Sequence, residues 1–352
     1  MFEQYVEKPT RWLEADGTEA AVVLSSRVRL ARNIADHQYP DRADSDVHSR
    51  VKEFVQEALE NTGLLDMGTL YESGTVSELD RSFLIERHLI SPEFMRERTN
   101  RAIYISKDES VSIMVNEEDH LRIQSFRSGL EIKTAMENAE RIDTELGEKL
   151  DYDYSNEYGF LTSCPTNVGT GLRASVLIHL PGLVLTNEID AVISQITKLG
   201  LAVRGFYGEG TDVLGNLFQI SNQTTLGRKE EDIIGSLEEV SRQLIGHEEN
   251  ARTTLIRDAG EEIKDKIWRA YGILKHARVL TSEEAMNLLS AVRLGVAMGI
   301  LDMLPLRLVN EIMLLIQPAH LQKLLNEQLT PSERDGKRAE LVRHKFADRT
   351  LE

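Results

Sequence analysis

Hydrophobic and polar positions follow two patterns along the chain, and the change between them divides it into two parts. In the first part, segments with period-two alternation are interspersed with amphipathic helical patterns. In the segment 20–35, Val28 and Leu30 fall on one face of a predicted strand, and Arg27 and Arg29 fall on the other. Further strands are predicted near 102–115, 121–126, 158–162, 173–180, 200–206 and 215–221, and helices near 46–60, 130–150, 187–198 and 229–246.

The second part, beyond about residue 254, shows successive helical patterns. Two of its helices begin with capping signals, because Thr281 and Thr330 each stand three residues before a glutamate. The sequence of this part shows no further strand pattern. We therefore predict a mixed α+β domain followed by an all-helical domain, with the ranges 1–254 (core 20–254) and 255–352.

The 352 residues, 41% of them hydrophobic, have the composition of a globular protein with an apolar core. The longest apolar stretches fall short of the ~20 residues that cross a bilayer, so no membrane association is predicted. The first residues lack the basic and apolar regions of a secretion signal. A single cysteine cannot form an internal disulfide, which is typical of a reducing compartment, and we expect a cytoplasmic location.

The formal net charge of -17 limits the kinds of partner. Binding to a nucleic-acid backbone requires a basic surface, so direct nucleic-acid binding is not expected. An acidic surface favours cationic substrates or partners, although acidity also serves solubility.

Arginines at strand positions are the first candidate for chemistry, since the common glycine-rich nucleotide motifs are missing. A guanidinium binds phosphate oxygens in a planar, bidentate manner and stays charged at physiological pH. A cluster of arginines from several strands would form a polyphosphate site. The alternative is that each is a solvated strand residue, as most charged residues are. The arginines concerned are Arg27, Arg29, Arg122, Arg173 and Arg204.

Acidic residues and one cysteine form the second candidate. The stretch "NEEDHLR" (116–122) is either an acidic turn or a source of a carboxylate that faces a cationic substrate. A second carboxylate could come from "GEGTD" (208–212), through Glu209 or Asp212. The only cysteine, Cys164, precedes a glycine-containing loop that ends in Arg173, although a free cysteine is more often a small buried residue.

The chain contains, in this order, the four stretches "SSRVRLARN", "NEEDHLR", "CPTNVGTGLRAS" and "RGFYGEGTDVLGNLFQISN". The same order is found in the catalytic domain of phosphagen kinases, the superfamily of arginine and creatine kinases. Over residues 20–254 the chain therefore resembles this superfamily. The resemblance implies an α+β fold in which helices flank an antiparallel β-sheet, of the glutamine-synthetase-like type. It also implies phosphoryl transfer from ATP, with Mg²⁺, to a guanidinium; no set of protein metal ligands is predicted.

The resemblance further implies the roles of individual residues. Glu118 matches the carboxylate that binds the guanidinium and helps to deprotonate it, and Cys164 matches the thiolate beside it. A guanidinium has a pKa above ~12, so it needs such a base before it can act as a nucleophile. The implied ATP-binding residues are Arg27, Val28, Arg29, Leu30, Ala31, His88, Arg122, Arg173, Ala174, Ser175, Val176, Leu177, Arg204, Gly205, Phe206, Tyr207 and Gly208.

Two departures from the superfamily leave the second carboxylate open. The matching position is Asp212, where the family usually has glutamate, so either Glu209 or Asp212 could serve. Tyr207 stands near it, where members with small substrates carry an arginine.

The type of molecule that accepts the phosphoryl group is inferred from the segments before and after the catalytic motifs. The first motif begins at residue 25, so the helical N-terminal domain that closes over free arginine or creatine is expected to be missing. The helical extension resembles that of the bacterial protein-arginine kinases, and "RDGKRA" (334–339) matches their phosphoarginine-binding motif. This implies a phosphoarginine site at Arg334, Asp335 and Arg338, whereas an ordinary charged helix face is the alternative.

The resemblance to protein-arginine kinases also implies partners. We expect protein substrates with exposed arginine, a homodimer, a zinc-binding activator protein and a Clp-type unfoldase, in a stress response that marks proteins for proteolysis. Two alternatives stay open at this point. The protein could phosphorylate a free guanidino compound, or it could be a phosphoarginine-binding adaptor with an inactive kinase site.

Overall fold

An antiparallel sheet of eight strands forms the centre of the first part of the chain. The computed structural model describes residues 1–95, 100–205 and 214–347, and within these ranges the strand order is β2-β3-β4-β5-β1-β8-β10-β9, with β6 and β7 as a separate hairpin. The strands are β1 (Val23–Arg32), β2 (Gly68–Glu72), β3 (Ala102–Ser106), β4 (Val111–Val115), β5 (Leu121–Ser128), β6 (Tyr154–Ser155), β7 (Gly159–Phe160), β8 (Leu172–His179), β9 (Leu201–Gly205) and β10 (Leu217–Asn222). The predicted antiparallel α+β fold is confirmed.

Helices flank this sheet and make up the C-terminal part. They are α1 (Glu3–Val6), α2 (Ser45–Asn61), α3 (Leu64–Met67), α4 (Glu78–Glu86), α5 (Ile132–Gly147), α6 (Pro181–Leu185), α7 (Ile189–Lys198), α8 (Glu230–His276), α9 (Ser282–Ala297), α10 (Leu306–Leu315), α11 (Pro318–Leu325) and α12 (Pro331–Ala347). Short 3-10 turns lie at Arg11–Leu13, Ser73–Thr75 and Pro92–Met95. No helix in the described ranges is long and apolar enough to cross a membrane.

The longest helix, α8, joins two helices that the sequence pattern separates. The prediction placed one helix near 229–246 and another over "EEIKDKIWRAYGILKHARV" (261–279), whereas α8 runs from Glu230 to His276 with a break at Ala259, where φ is -144° and ψ is 38°. Its first half packs in the same apolar cluster as the sheet, and its second half packs in the cluster of the C-terminal helices. The domain boundary predicted at 254 falls inside α8, shortly before the break.

The central strand β1 separates apolar from polar side chains by alternation. Val28 and Leu30 are almost fully buried in the main core, beside apolar residues of α5 and α8. Arg27 and Arg29 lie on the opposite face, as the alternation predicts. Because β1 pairs with both β5 and β8, Arg29 lies directly opposite Arg173 of β8. Side chains in such cross-strand positions are neighbours, so the register itself collects arginines on one face.

The second face of the sheet carries two further apolar clusters with polar strand positions between them. One cluster joins sheet residues such as Phe126 and Leu177 to the C-terminal helices. The other joins Ile103 and Met114 to α1, α4 and α11. Arg27 and Arg29 of β1, Arg122 of β5 and Arg173 of β8 lie on this face, between the two clusters, and line the site described below.

Both predicted caps of the C-terminal helices form. The Glu284 backbone N–H donates to Thr281 Oγ1 at 3.1 Å. At α12 the capping box is reciprocal, since Glu333 N donates to Thr330 Oγ1 at 3.4 Å and Thr330 N donates to the Glu333 carboxylate at 2.8 Å.

Candidate active site

A cavity of about 680 Å³ opens on the second face of the sheet, and nine of the predicted site residues that the structure describes line it. This volume lies in the range of small-molecule sites, roughly 300–1,000 Å³. Strands β1, β5, β8 and β9 contribute its predicted cations, and the loops before β3, before β5 and before β8 contribute His88, Glu118 and Cys164. The predicted residues that the structure brings together here are Arg27, Arg29, Ala31, His88, Glu118, Arg122, Cys164, Arg173 and Arg204.

The arginines of β1 lie in an environment that disfavours their charge. Burial, followed by repulsion from Arg122 and Arg173, lowers the pKa of Arg27 to about 9. Burial and the neighbouring cations lower the pKa of Arg29 well below its ordinary value. Nothing in the described part of the chain accepts a hydrogen bond from Arg29 Nε, which is buried. A buried donor and mutually repelling cations indicate a site shaped for an anion, and the three phosphate groups of ATP fit this donor set.

Glu117, the first glutamate of the acidic stretch, anchors an arginine. Arg122 Nη1 donates to both carboxylate oxygens of Glu117, at 2.9 and 3.0 Å, and the Ser91 hydroxyl also donates to Glu117. Although burial opposes it, the Glu117 carboxylate raises the pKa of Arg122 above its ordinary value. Arg122 is therefore held in one position and remains charged.

Glu118, the second glutamate, faces the cavity with its carboxylate available. Among the residues that the structure describes, none forms a hydrogen bond or ion pair with its side chain, in contrast to Glu117. Burial, and then the carboxylates of Asp119 and Glu117, raise the pKa of Glu118. An available carboxylate with a raised pKa is suited to accept a proton.

The residues on either side of Glu117 and Glu118 hold the loop 116–120, between β4 and β5, in place. Asn116 has a positive φ of 57°, and its Nδ2 donates to the carbonyl oxygens of His48 and Asn100 at 2.9 and 2.8 Å. His120 Nδ1 accepts from the Ile34 backbone N–H at 3.0 Å, which requires a neutral ring. Burial lowers the pKa of His120 to about 4, in agreement with this role.

The segment 161–171 between β7 and β8, called the cysteine loop below, depends on glycine for its backbone conformation. Gly169 and Gly171 have φ values of +111° and +65°, which favour glycine. A Cβ on Gly171 would lie 2.5 Å from the Ala31 carbonyl oxygen, so the loop packs directly on the end of β1. Cys164 Sγ lies 3.0 Å from Thr166 Oγ1, at the cavity wall.

His88 lies where α4 leads into the cavity. It has a positive φ of 61°, and its ring meets Trp12 edge-on with the ring centroids 5.1 Å apart. Burial, and then Arg27 and Arg29, lower the pKa of His88 to about 3, so the ring is neutral. Ser175 and Leu177 line a small cavity of about 20 Å³ beside this ring, next to Arg27.

Four predicted ATP-binding residues point away from the cavity. The side chains of Val28, Leu30, Ala174 and Val176 lie in the main apolar core on the other face of the sheet. The prediction took whole sequence ranges, whereas strand alternation turns every second side chain away. A contribution of these four residues to ATP binding is therefore limited to their backbone.

The remaining predicted residues of the catalytic part lie at or beyond the edge of the described ranges. Gly205 is the last residue of β9. The predicted residues Phe206, Tyr207, Gly208, Glu209 and Asp212 lie outside the residues that the structure describes. The choice between Glu209 and Asp212 therefore stays a prediction.

In the C-terminal part, the three residues of the "RDGKRA" motif are engaged with the protein itself. Arg338 is only 2% exposed, and it donates to the carbonyl oxygens of Ile316 and Leu280 at 3.0 and 2.8 Å. It also pairs with Asp335 at 2.5 Å. Arg334 is partly buried near the same turn. The phosphoarginine role of these residues stays a prediction.

Several cavity residues escaped the sequence analysis. Gln219 Oε1 accepts from Arg27 Nη2 at 3.1 Å, and alternation along β10 could have placed it on the arginine-bearing face. Asp41 and Arg101 also line the cavity, but they belong to no motif and carry no signal in the sequence.

Two family models match the chain. The model described as ATP:guanido phosphotransferase, C-terminal catalytic domain, matches residues 50–251, and the model of the protein-arginine kinase McsB C-terminal domain matches residues 260–351. The first match covers the cavity-lining segments of β5, β8, β9 and β10 and the loops before β5 and β8, whereas β1 lies before its first matched residue. The chain belongs to the ATP:guanido phosphotransferase family, and it is an enzyme that transfers a phosphoryl group.

Relatives of similar length refine this assignment. The chain is 48% identical to the protein-arginine kinase of Pelotomaculum thermopropionicum over 342 residues, with 96% of each protein covered. It is 46% identical to the protein-arginine kinase of Halothermothrix orenii over 334 residues, with 95% of each covered. Together with the match of the C-terminal model, these similarities place the chain among the protein-arginine kinases, and the predicted resemblance is confirmed.

Two solved structures share the fold over roughly two thirds of this chain. Lombricine kinase superposes with a TM-score of 0.60 at 26% identity, covering 69% of this chain and 71% of that chain. The duplicated taurocyamine kinase from Schistosoma mansoni, with bound transition state analog components, superposes with a TM-score of 0.61 at 25% identity, covering 67% of this chain and 34% of that chain.

Proposed function

We propose that this protein transfers the γ-phosphoryl group of ATP to arginine side chains of proteins in the cavity described above. The observation that carries the proposal is that arginines from four strands and the available carboxylate of Glu118 line one cavity. Phosphoryl transfer to a guanidinium requires cations for the phosphates and an acceptor for one proton. The names of the relatives from Pelotomaculum thermopropionicum and Halothermothrix orenii support the same activity.

We assign the phosphates to the arginine end of the cavity. Arg27, Arg29 and Arg173 lie on adjacent strands, where a bound polyphosphate offsets the repulsion among them. Arg122 is already fixed by Glu117, so it needs no rearrangement to stabilise charge on the transferred group. Mg²⁺, when bound with ATP, neutralises part of the phosphate charge.

We assign the acceptor guanidinium to the end that carries Glu118 and Cys164. Glu118 binds the guanidinium and accepts one of its protons. The nitrogen that loses this proton forms the bond to the γ-phosphorus while the bond from phosphorus to the bridging oxygen breaks, leaving ADP. Cys164 contacts the guanidinium from the cysteine loop, and either Glu209 or Asp212 supplies the second carboxylate.

The acceptor determines the partners that we propose. Proteins with exposed arginine are the substrates, and the net charge of -17 favours basic ones. The resemblance to protein-arginine kinases supports a zinc-binding activator protein, a Clp-type unfoldase, a homodimer and a cytoplasmic location. We also propose that the chain divides into its two domains near residue 254.

The C-terminal motif is proposed as a phosphoarginine-binding site. Arg334 and Arg338 would bind the phosphate, and Asp335 would bind the guanidinium. Because Arg338 is paired with Asp335 in this structure, binding requires that this ion pair opens.

The test is to incubate the protein with Mg·ATP and either an arginine-rich unfolded protein or free L-arginine, and to detect phosphoarginine by mass spectrometry at neutral pH. We expect phosphate on protein arginine, and loss of this activity in Glu118→Gln. Glu137→Gln, an exposed glutamate of α5 outside the cavity, is the matched control and should retain activity. Phosphate on free arginine alone would indicate a guanidino-compound kinase, and activity retained in Glu118→Gln would overturn the role of this residue.

A further inference from the structure

Two buried polar side chains join the segments that carry Glu118 and Cys164. Asn33 follows β1 directly, and its Nδ2 donates to Asp119 Oδ1 at 2.7 Å. The same oxygen of Asp119 accepts from the Ser163 backbone N–H at 2.7 Å. Asn33 and Asp119 are 1% and 2% exposed, so solvent competes little for these bonds.

The amide of Asn33 makes contacts that other side chains could not combine. Besides its bond to Asp119, Nδ2 donates to the Leu161 carbonyl oxygen at 3.1 Å. Its Oδ1 accepts from the His120 backbone N–H at 2.9 Å. Only an amide provides two donors and an acceptor at these positions at once, since a carboxylate only accepts and a hydroxyl is too short. Asn33 therefore ties the end of β1 to both loops.

Each loop is fixed next to the residue that matters for the acceptor. Asp119 is the chain neighbour of Glu118, and Ser163 is the chain neighbour of Cys164. One carboxylate oxygen thus lies between the two loops and determines their separation. We infer that Asn33 and Asp119 are positioning residues that set the distance between the Glu118 carboxylate and the Cys164 thiol. This inference rests on the proposed function, in which these two groups enclose the guanidinium.

The phosphate end of the cavity is held by other interactions. Arg27, Arg29 and Arg173 lie within the ladder of β1 and β8, and Arg122 is fixed by Glu117. The bonds of Asn33 and Asp119 described above reach none of these side chains. Loss of Asn33 or Asp119 should therefore lower kcat/KM for the protein substrate and leave ATP binding intact. A general loss of stability would impair both.

The test compares Asn33→Ala with Asn310→Ala in the full-length protein. Asn310 is a matched control, because it is 1% exposed, accepts from Arg293 Nε at 2.9 Å and lies outside the cavity. For Asn33→Ala we expect kcat/KM for an arginine-rich protein to fall roughly ten- to a hundredfold, with the KM for ATP unchanged, since a misplacement of ~1 Å can cost about 10² in rate. Asn310→Ala should lower the Tm. At temperatures below that Tm, its kcat/KM for the arginine-rich protein and its KM for ATP should be unchanged.

Further variants separate the possible failures. If Asn33→Ala does not fold, Asn33→Ser is measured in the same way, because it keeps a polar group and leaves a smaller cavity. An acceptor kcat/KM equal to that of Asn310→Ala, or a parallel rise in the KM for ATP, would overturn the inference. Glu118→Gln is measured in the same experiment. If Glu118→Gln is inactive while the Asn33 variants have normal activity, only the positioning role is refuted. If Glu118→Gln is active, the proposed role of Glu118 as the base is refuted.

Discussion

Replacement of Gly171 by alanine tests whether the contact between the cysteine loop and β1 is needed for catalysis. Gly171 has a φ of +65°, and an added Cβ would lie 2.5 Å from the Ala31 carbonyl oxygen and 2.6 Å from Arg32 Nη1. Ordinary contacts of a Cβ begin at 3.4 Å, so the loop and the strand must separate by about 1 Å. Because Cys164 belongs to this loop, its thiol should move with it.

The size of the effect follows from comparison with a second glycine. Gly299 has a similar φ of +69°, but apart from Gly299 and its two chain neighbours no described residue has an atom within 4 Å of the added Cβ. Gly299→Ala therefore carries only the cost of positive φ, about 1–2 kcal/mol of unfolding free energy. Gly171→Ala adds the contact with Ala31, and we expect a total of about 2–4 kcal/mol. A displacement of ~1 Å at the site should also lower kcat/KM about a hundredfold.

Urea denaturation gives the unfolding free energies of both variants, and phosphorylation of an arginine-rich protein gives their kcat/KM. Gly299→Ala should keep the activity of the unmodified protein, since Gly299 follows α9 and lies outside the cavity. If Gly171→Ala matched Gly299→Ala in both quantities, the packing of the loop on β1 would not position the thiol, and the reasoning would be refuted.

Three further predictions address charge and stability. The Glu118 carboxylate must be ionised to accept a proton, so kcat/KM should fall as the pH drops through a pKa above the usual 4.5. A pH–rate profile measures this fall, and an acid limb at or below pH 4.5 would contradict the prediction. Arg29→Met removes a cation whose charge is disfavoured by burial, so we expect a higher Tm together with loss of ATP binding in calorimetry; retained affinity would refute the assignment. Thr281→Ala removes the hydroxyl that accepts from Glu284 N and should lower the unfolding free energy by about 1 kcal/mol in urea denaturation, with kcat/KM unchanged.

Local patterns predicted the strands that build the site. Alternation along β1 was sufficient to place Arg27 and Arg29 opposite Val28 and Leu30, because side chains of a strand point to opposite faces whatever the tertiary context. The capping signal at Thr281 was equally local, since a cap involves residues three positions apart. The motifs added the family, and through it the antiparallel sheet that alternation alone does not specify.

Other features depend on contacts between distant residues, and no local pattern indicates them. The adjacent Glu117 and Glu118 look alike in the sequence, yet one pairs with Arg122 and the other faces the cavity. Asn33 carried no signal either, since its partners lie 86 and 128 positions away. The edge strand β2 and the helix α4 were missed because their partly exposed residues give weak periodicity.

The closely spaced arginines of β1 and β8 have a practical consequence for work with this protein in solution. Small multivalent oxyanions, such as inorganic phosphate and sulfate, match the same bidentate donors as the phosphates of a nucleotide. They would raise the thermal stability with the logarithm of their concentration once it exceeds their Kd, while competing with the nucleotide. Buffers and precipitants that contain them should therefore raise the measured Tm and lower the measured rate of phosphorylation. Chloride-based buffers without these anions should give rates free of this competition.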